Sequence, residues 1–350
     1  MHEALIGLLE RRAPVGRETW RSFWDQLGDG ELDRAQALAL LASLTTGLPG
    51  HETLRALLDS LAERRPAEEA GRWAGTVNVV GTGGGPRTFN ISTASAFVAA
   101  AAGVRVVKTG SRAYTSSLGS VDLLERLGVR LTSSYDQTAE TLDRYGIAFA
   151  GPFVYPVQLT RLARTIAPTS MKPFGRFLNA LGPFLADLPV TAQITGVSAI
   201  APLAELRALA TTVTGRTLWL TTNDRGADEL LGFADNTIHT NDGRELRFPA
   251  GQLVRGDGGF EDLQPVTDPA SAPAHFLSVL DGTAGDVATR TVCLNAAALS
   301  VASGHTPDWT KALAVTEEAV RSGAARDLAE RIRAAAPRTT RTGTGTATHG

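Results

Sequence analysis

Residues 77–127, VNVVGTGGGPRTFNISTASAFVAAAAGVRVVKTGSRAYTSSLGSVDLLERL, leave this chain few ways to fold. Residues 77–80 (VNVV) are a short apolar run suited to a buried strand. Residues 81–85 (GTGGG) follow, a loop whose glycines let backbone N–H groups crowd a ligand where a Cβ would clash. Asn90, Ser92 and Thr93 then stand at the start of an alanine-rich helix predicted to run to about Ala102, and Asn and Ser are good helix caps. Residues 104–107 make a second apolar strand, ending at Lys108. The pattern predicts a βαβ unit whose loop amides and helix N-terminus attract an anion, with Lys108 and Arg112 adding charge.

Two familiar glycine motifs do not fit. A Walker A loop ends in G-K-[ST], whereas this one continues Pro86-Arg87-Thr88. The dinucleotide fingerprint needs a glycine where Pro86 stands, and the acidic residue expected about 20 positions on is missing. The remaining alternative is a glycine turn that only joins strand to helix. Four loop glycines, several hydroxyls and two cations in one unit favour a binding loop.

Composition narrows the rest. At 350 residues and 43% hydrophobic content, the chain can bury a full core and is expected to form two domains. A formal charge of −2 argues against a nucleic-acid partner. The single cysteine, Cys293, lies in the apolar run TVCLNAAALSV and reads as a buried thiol. The N-terminus has no signal-peptide pattern, and no window approaches about 18 uninterrupted apolar residues. The expectation is a soluble, cytoplasmic protein with no membrane partner.

Residues 1–72 read as helices only, with leucines at helical spacing and breaks at Gly28-Asp29-Gly30 and residues 47–50. This is an expected small N-terminal α-helical domain, with parts of residues 160–185 packing on it. Residues 73–335 read as a larger α/β domain, whose strands and helices alternate as in a mixed, mostly parallel central sheet flanked by helices. Within it, residues 236–251 read as a hairpin turning at Asn241-Asp242-Gly243, with His239 structural. Residues 284–335 read as two helices, and residues 336–350 as a disordered tail. Asp228-Glu229 follows Gly226-Ala227 on a predicted loop. Such a pair is most often solvated, but its hard oxygens also suit Mg²⁺.

The stretch VVGTGGGPRTFNISTASAFVAAAAGVRVVKTGSR resembles the phosphoribosyl-diphosphate loop of anthranilate phosphoribosyltransferases, in the superfamily they share with pyrimidine nucleoside phosphorylases. The family's G-T-G-G-D-G, F-N-I-S-T and K-H-G-N-R are mostly present. FLNALGP at residues 177–183 resembles its F-N-L-L-G-P, and the closing helices resemble its N-A-A-A and S-G-A-A helices. The resemblance implies Mg²⁺-dependent transfer of a 5-phosphoribosyl group from phosphoribosyl diphosphate to a small aromatic amine or acid, in a homodimer formed through the helical domain.

By resemblance, donor binding falls to Gly81, Thr82, Gly83, Gly84, Thr88, Asn90, Ser92, Thr93, Lys108, Arg112, Ser116 and Ser120. The acceptor falls to Thr109, Gly110, Ser111, Tyr155 and Arg164, and the metal to Asp228, Glu229 and Ser92. No single catalytic acid or base is assigned. Arg164 is offered as the holder of an acceptor carboxylate, the alternative being that Arg161 and Arg164 lie on a solvated helix face.

This chain departs from the family at several places. Gly85 stands for Asp, Thr109 and Ser111 for His and Asn, Ser117 and Leu118 for Lys and Ser, and Tyr155 for His. Thr109, Ser111 and Tyr155 point to an acceptor other than anthranilate, whereas Gly85 removes a carboxylate that would help organise the donor's metal and Ser117 and Leu118 weaken the diphosphate contact. Two rival readings are a nucleoside phosphorylase-like enzyme and a non-catalytic relative that binds nucleic acid.

Overall fold

A computed structural model describes residues 1–65, 70–110 and 119–335. Ser111, Arg112, Ser116, Ser117, Leu118 and the expected tail lie outside the described residues. Seven strands form one sheet: β1 (Thr76–Gly81), β2 (Arg105–Thr109), β3 (Ile147–Ala150), β4 (Ala192–Gly196), β5 (Thr217–Asn223), β6 (Asn236–Thr240) and β7 (Glu245–Phe248). Their order is β3-β2-β1-β4-β5-β6-β7. The first five run parallel and the last two form the antiparallel hairpin, so the sheet is mixed and mostly parallel as expected.

Period-two alternation explains how both faces are covered. Val77, Val79, Val106, Ile147, Phe149, Ala192, Ile194 and Trp219 face a core closed by helices Ile91–Ala101, Ala272–Leu280, Asp286–Ala302 and Trp309–Arg321. On the opposite face β1 and β4 carry buried polar side chains, Asn78, Gln193 and Thr195. Asn78 donates to Gln193 Oε1 at 3.3 Å, and Gln193 Nε2 donates to the Pro183 carbonyl at 2.9 Å. Pro183 lies inside the helix Gly175–Leu185, so a buried polar ladder ties that helix to the sheet centre.

The N-terminal region folds into helices Glu3–Glu10, Arg17–Asp29, Arg34–Thr46 and His51–Ala62. Trp20, Phe23, Trp24 and Leu27 recur at helical spacing and are buried together, with Trp20 stacked on Trp24. This core is continuous with Leu162, Ile166, Phe174, Phe177 and Leu181 of the segment after β3, and with Leu206, Leu218 and Leu220 at the sheet. Arg34 fastens the junction, donating to the Ile166 carbonyl at 3.1 Å and to Thr169 Oγ1 at 2.8 Å.

Residues 284–335 correct the expectation of two helices. Three form, Asp286–Ala302, Trp309–Arg321 and Ala324–Ala335. The apolar periodicity runs on through SGAA, but Gly323 takes φ +81°, a left-handed conformation that ends the second helix before the third begins. No helix among the described residues is long and apolar enough to cross a membrane.

Candidate active site

The chain moves outward from β1 to β2 and β3, then returns to the other side of β1 to lay down β4 and β5. Open α/β sheets bind ligands at such a switch point, beyond the carboxyl ends of the strands. Here those ends are Gly81 of β1 and Gly196 of β4, which are register partners. A cleft of about 960 Å³ opens above them.

Both glycines are required by one neighbour. A Cβ on Gly81 would collide with the Asp228 carboxylate, and a Cβ on Gly196 with the Asp228 carbonyl oxygen. Asp228 thus sits directly on the strand ends, and its Oδ2 accepts the Gly83 N–H at 3.0 Å. Gly83 and Gly84 take φ +63° and +80°, consecutive left-handed residues that only glycine adopts without strain. Thr82 N–H donates to the Gly196 carbonyl at 2.8 Å, and Ser198 Oγ donates to the Gly83 carbonyl at 2.6 Å. The glycine loop is therefore held by β4 and by the turn after it.

Gly85 packs against the turn that carries the carboxylates, where a Cβ would meet the Gly226 carbonyl oxygen at 3.1 Å.

Three asparagines place the pair Asp228-Glu229. Asn223, at the end of β5, donates to the Ala227 carbonyl at 3.2 Å and the Glu229 carbonyl at 2.7 Å. Asn236 accepts the Leu231 N–H at 2.9 Å. Asn295, in the NAAA stretch of helix Asp286–Ala302, accepts the Leu230 N–H at 3.0 Å and donates to its carbonyl at 2.8 Å. Asn223 and Asn236 reach only a few residues along the chain and Asn295 reaches across it, and none of these roles has a sequence signal.

The electrostatics follow from burial. Lys108, 4% exposed, is the penultimate residue of β2 and lines the cleft, and burial lowers its pKa to about 8 although Asp228 and Glu229 pull it upward. Burial raises the pKa of Asp228, and burial together with the Asp228 charge raises Glu229 well above the usual carboxylate range. Two crowded carboxylates beside one buried ammonium gain from a hard cation. Among the described residues no group of three acidic, His or Cys side chains could hold a metal alone. A carboxylate pair alone suits Mg²⁺ only where waters and substrate phosphates complete the shell.

Of the expected donor residues, Gly81, Thr82, Gly83, Gly84, Thr88, Asn90, Ser92, Lys108 and Ser120 line the cleft together with Asp228 and Glu229. Asn90 occupies the N-cap of helix Ile91–Ala101 without a side-chain capping bond. Thr93 is fully buried behind this first turn and is not among the lining residues. Thr109, Gly110 and Tyr155 line the cleft, with Thr109 Oγ1 donating to Asn78 Oδ1 at 3.3 Å.

Arg164 requires a correction. Helix Val157–Thr165 turns Leu159, Thr160 and Ala163 into the cleft, while Arg164 in its last turn is exposed and does not line it. Asn179, the asparagine of the FLNALGP stretch, does line the cleft, and its Nδ2 lies 3.6 Å from where a Gly83 Cβ would stand.

A glycine loop set against a buried carboxylate pair at the switch point of a parallel sheet stands where enzymes with open α/β sheets bind their ligands. The family model described as "Glycosyl transferase family, a/b domain" matches residues 74–326. The anthranilate phosphoribosyltransferase of Methylorubrum extorquens (strain PA1) is 30% identical over 93% of this chain and 96% of its own. That of Mycobacterium marinum is 34% identical over 88% and 85%. The crystal structure of the Thermus thermophilus enzyme superposes with a TM-score of 0.77 at 27% identity, covering 95% of this chain and 99% of that one. The Saccharomyces cerevisiae enzyme, solved in complex with PRPP and Mg, shares the fold with a TM-score of 0.69 at 18% identity over 91% of each chain. The chain belongs to the anthranilate phosphoribosyltransferase family, and so to the pentosyl-transferring glycosyltransferases.

Proposed function

We propose that this protein transfers a 5-phosphoribosyl group from phosphoribosyl diphosphate to an aromatic amine or acid other than anthranilate. The observation that carries the reading is the seating of Asp228 on Gly81 and Gly196 beneath the glycine loop, which brings a carboxylate pair and an anion cradle to one space. Asp228, Glu229 and Ser92 would hold Mg²⁺. When bound, the metal neutralises charge on the leaving diphosphate.

The chain's own residues do the remaining work by position and electrostatics. The loop beyond Gly83, Asn90 and the first turn of helix Ile91–Ala101 would hold phosphate oxygens, the Thr82 and Gly83 amides being taken by the Gly196 carbonyl and by Asp228, and Lys108 supplies a buried positive charge near the carboxylates. The acceptor's lone pair forms a bond to the anomeric carbon, while the bond from that carbon to the diphosphate oxygen breaks. The electron pair leaves with diphosphate, and the acceptor's proton passes to solvent. The replacement of family residues at Thr109 and Tyr155, both lining the cleft, supports a changed acceptor.

The same reading includes a homodimer through residues 1–72 and a cytoplasmic setting. Light scattering on the purified protein tests the dimer.

The activity is tested by diphosphate release from phosphoribosyl diphosphate with Mg²⁺ and a panel of aromatic amines and acids. Release that depends on both Mg²⁺ and acceptor is expected, with anthranilate a poor member of the panel. Metal-independent phosphorolysis of uridine or thymidine, with no such release, would overturn the reading in favour of a nucleoside phosphorylase.

A further inference from the structure

The two sides of the cleft differ in chemistry. The floor and the glycine loop carry Arg87, Lys108, Asp228 and Glu229. The wall beyond β3 is mainly apolar, with Leu159, Ala163, Met171, Leu178 and Pro183, and its polar members Tyr155, Thr160 and Asn179 carry no charge. Basic side chains do occur along this segment, but they are directed elsewhere. Arg161 reaches back to the helical region, its guanidinium lying 2.8 Å from where a Gly28 Cβ would stand. Arg164, Lys172 and Arg176 are exposed and do not line the cleft. The buried ladder from Asn78 through Gln193 to the Pro183 carbonyl fixes this wall against the sheet, so its apolar face is positioned by the core.

From this segregation, and resting on the phosphoribosyl-transfer reading above, we infer that the acceptor is an uncharged, flat aromatic amine whose ring lies on the apolar wall. A carboxylate on that ring would be stripped of water among apolar side chains, with no cationic partner on the wall among the described residues. An uncharged ring gains from the same burial. The cleft is near the upper end of the roughly 300–1,000 Å³ typical of small-molecule pockets, so a two-ring acceptor can share it with the donor. In the transfer, a C–N bond forms at the anomeric carbon as its bond to diphosphate breaks. The electron pair goes to diphosphate and the amine proton to solvent.

Matched pairs that differ only by a carboxylate test the inference: aniline against 2-aminobenzoate, and 2-naphthylamine against 3-amino-2-naphthoate. Calorimetric affinity is measured on the full chain saturated with Mg²⁺ and diphosphate, and diphosphate release is measured with the complete donor. The uncharged member of each pair is expected to bind at least tenfold more tightly and to react on the order of a hundredfold faster in kcat/KM. Ala163→Arg, which sets a guanidinium on the wall, is expected to narrow that ratio by tenfold or more. Equal or tighter binding of the acids by the unaltered protein, or no binding of either member of both pairs, would overturn the inference. Donor binding measured on the same sample keeps the two readings apart, because its loss would instead overturn the transferase reading.

Discussion

Asn295 grips the main chain of Leu230 from both sides, its amide oxygen taking the N–H at 3.0 Å and its amide nitrogen giving to the carbonyl at 2.8 Å. Leu230 follows Glu229 directly, so a helix residue distant in sequence sets where the second carboxylate stands. Asn295→Leu keeps the branched shape but leaves both backbone groups unpaired, at a cost of about 1–3 kcal/mol in stability for each. Urea unfolding should show that loss, and calorimetry should show weaker Mg²⁺-dependent donor binding. Unchanged donor affinity would mean that Glu229 is placed by other contacts.

A methyl group on Gly196 has nowhere to go, because the Asp228 carbonyl oxygen occupies its place. Gly196→Ala should push the carboxylate turn off the strand ends and lower donor affinity on the order of a hundredfold. Gly50→Ala is the control, since φ is −58° there and nothing lies within 4 Å of the added Cβ. Both variants should be measured by the same titration.

Lys108 gives stability a pH dependence of definite sign. Burial brings its pKa from 10.5 in the unfolded chain to about 8 in the folded protein. Between these values the unfolded chain binds more protons, so this group's contribution to stability rises with pH across that window. Below about pH 8 the ammonium is charged in both states and the cost of burying it is fully present. Relative to Lys108→Met, the native protein should gain about 2–3 kcal/mol between pH 8 and 10.5. Denaturant unfolding at the two pH values gives the difference; a flat difference would show that the ammonium is not desolvated.

Cys293 is fully buried, and its thiol is pushed up to about 12, first by burial. A thiol reagent at about pH 8 should therefore label the protein only as fast as it unfolds, and at once in denaturant. Rapid labelling of the native protein would contradict the packing of helix Asp286–Ala302.

The βαβ unit around the glycine loop is legible in the sequence because each part carries a local signal: an apolar run, consecutive glycines, a capping asparagine and a lysine at a strand end. Asp228-Glu229 is legible only through the resemblance, since an acidic pair on a loop has no distinguishing chemistry until Gly81 and Gly196 are seen to make room for it. Asn78, Gln193, Asn223 and Asn295 give no signal at all. Their partners are backbone groups or other polar side chains, near in the chain for Asn223 and distant for Asn78 and Asn295, and single amides in strands and helices leave no periodic trace. Arg164 is misplaced for a related reason. Between Pro156 and Asn179 no motif fixes the spacing, so counting from one anchor does not find which helix face meets the cleft. The split at Gly323 is visible as a glycine, but the apolar periodicity on both sides conceals it.

The most direct test is a calorimetric titration with phosphoribosyl diphosphate, with and without Mg²⁺, on the native protein and on Asp228→Ala. Binding that requires Mg²⁺ and disappears in the variant is the predicted result, because the carboxylate seated on Gly81 and Gly196 would hold the metal against the donor's phosphates. Equal binding without the metal, or undiminished binding by Asp228→Ala, would contradict the account.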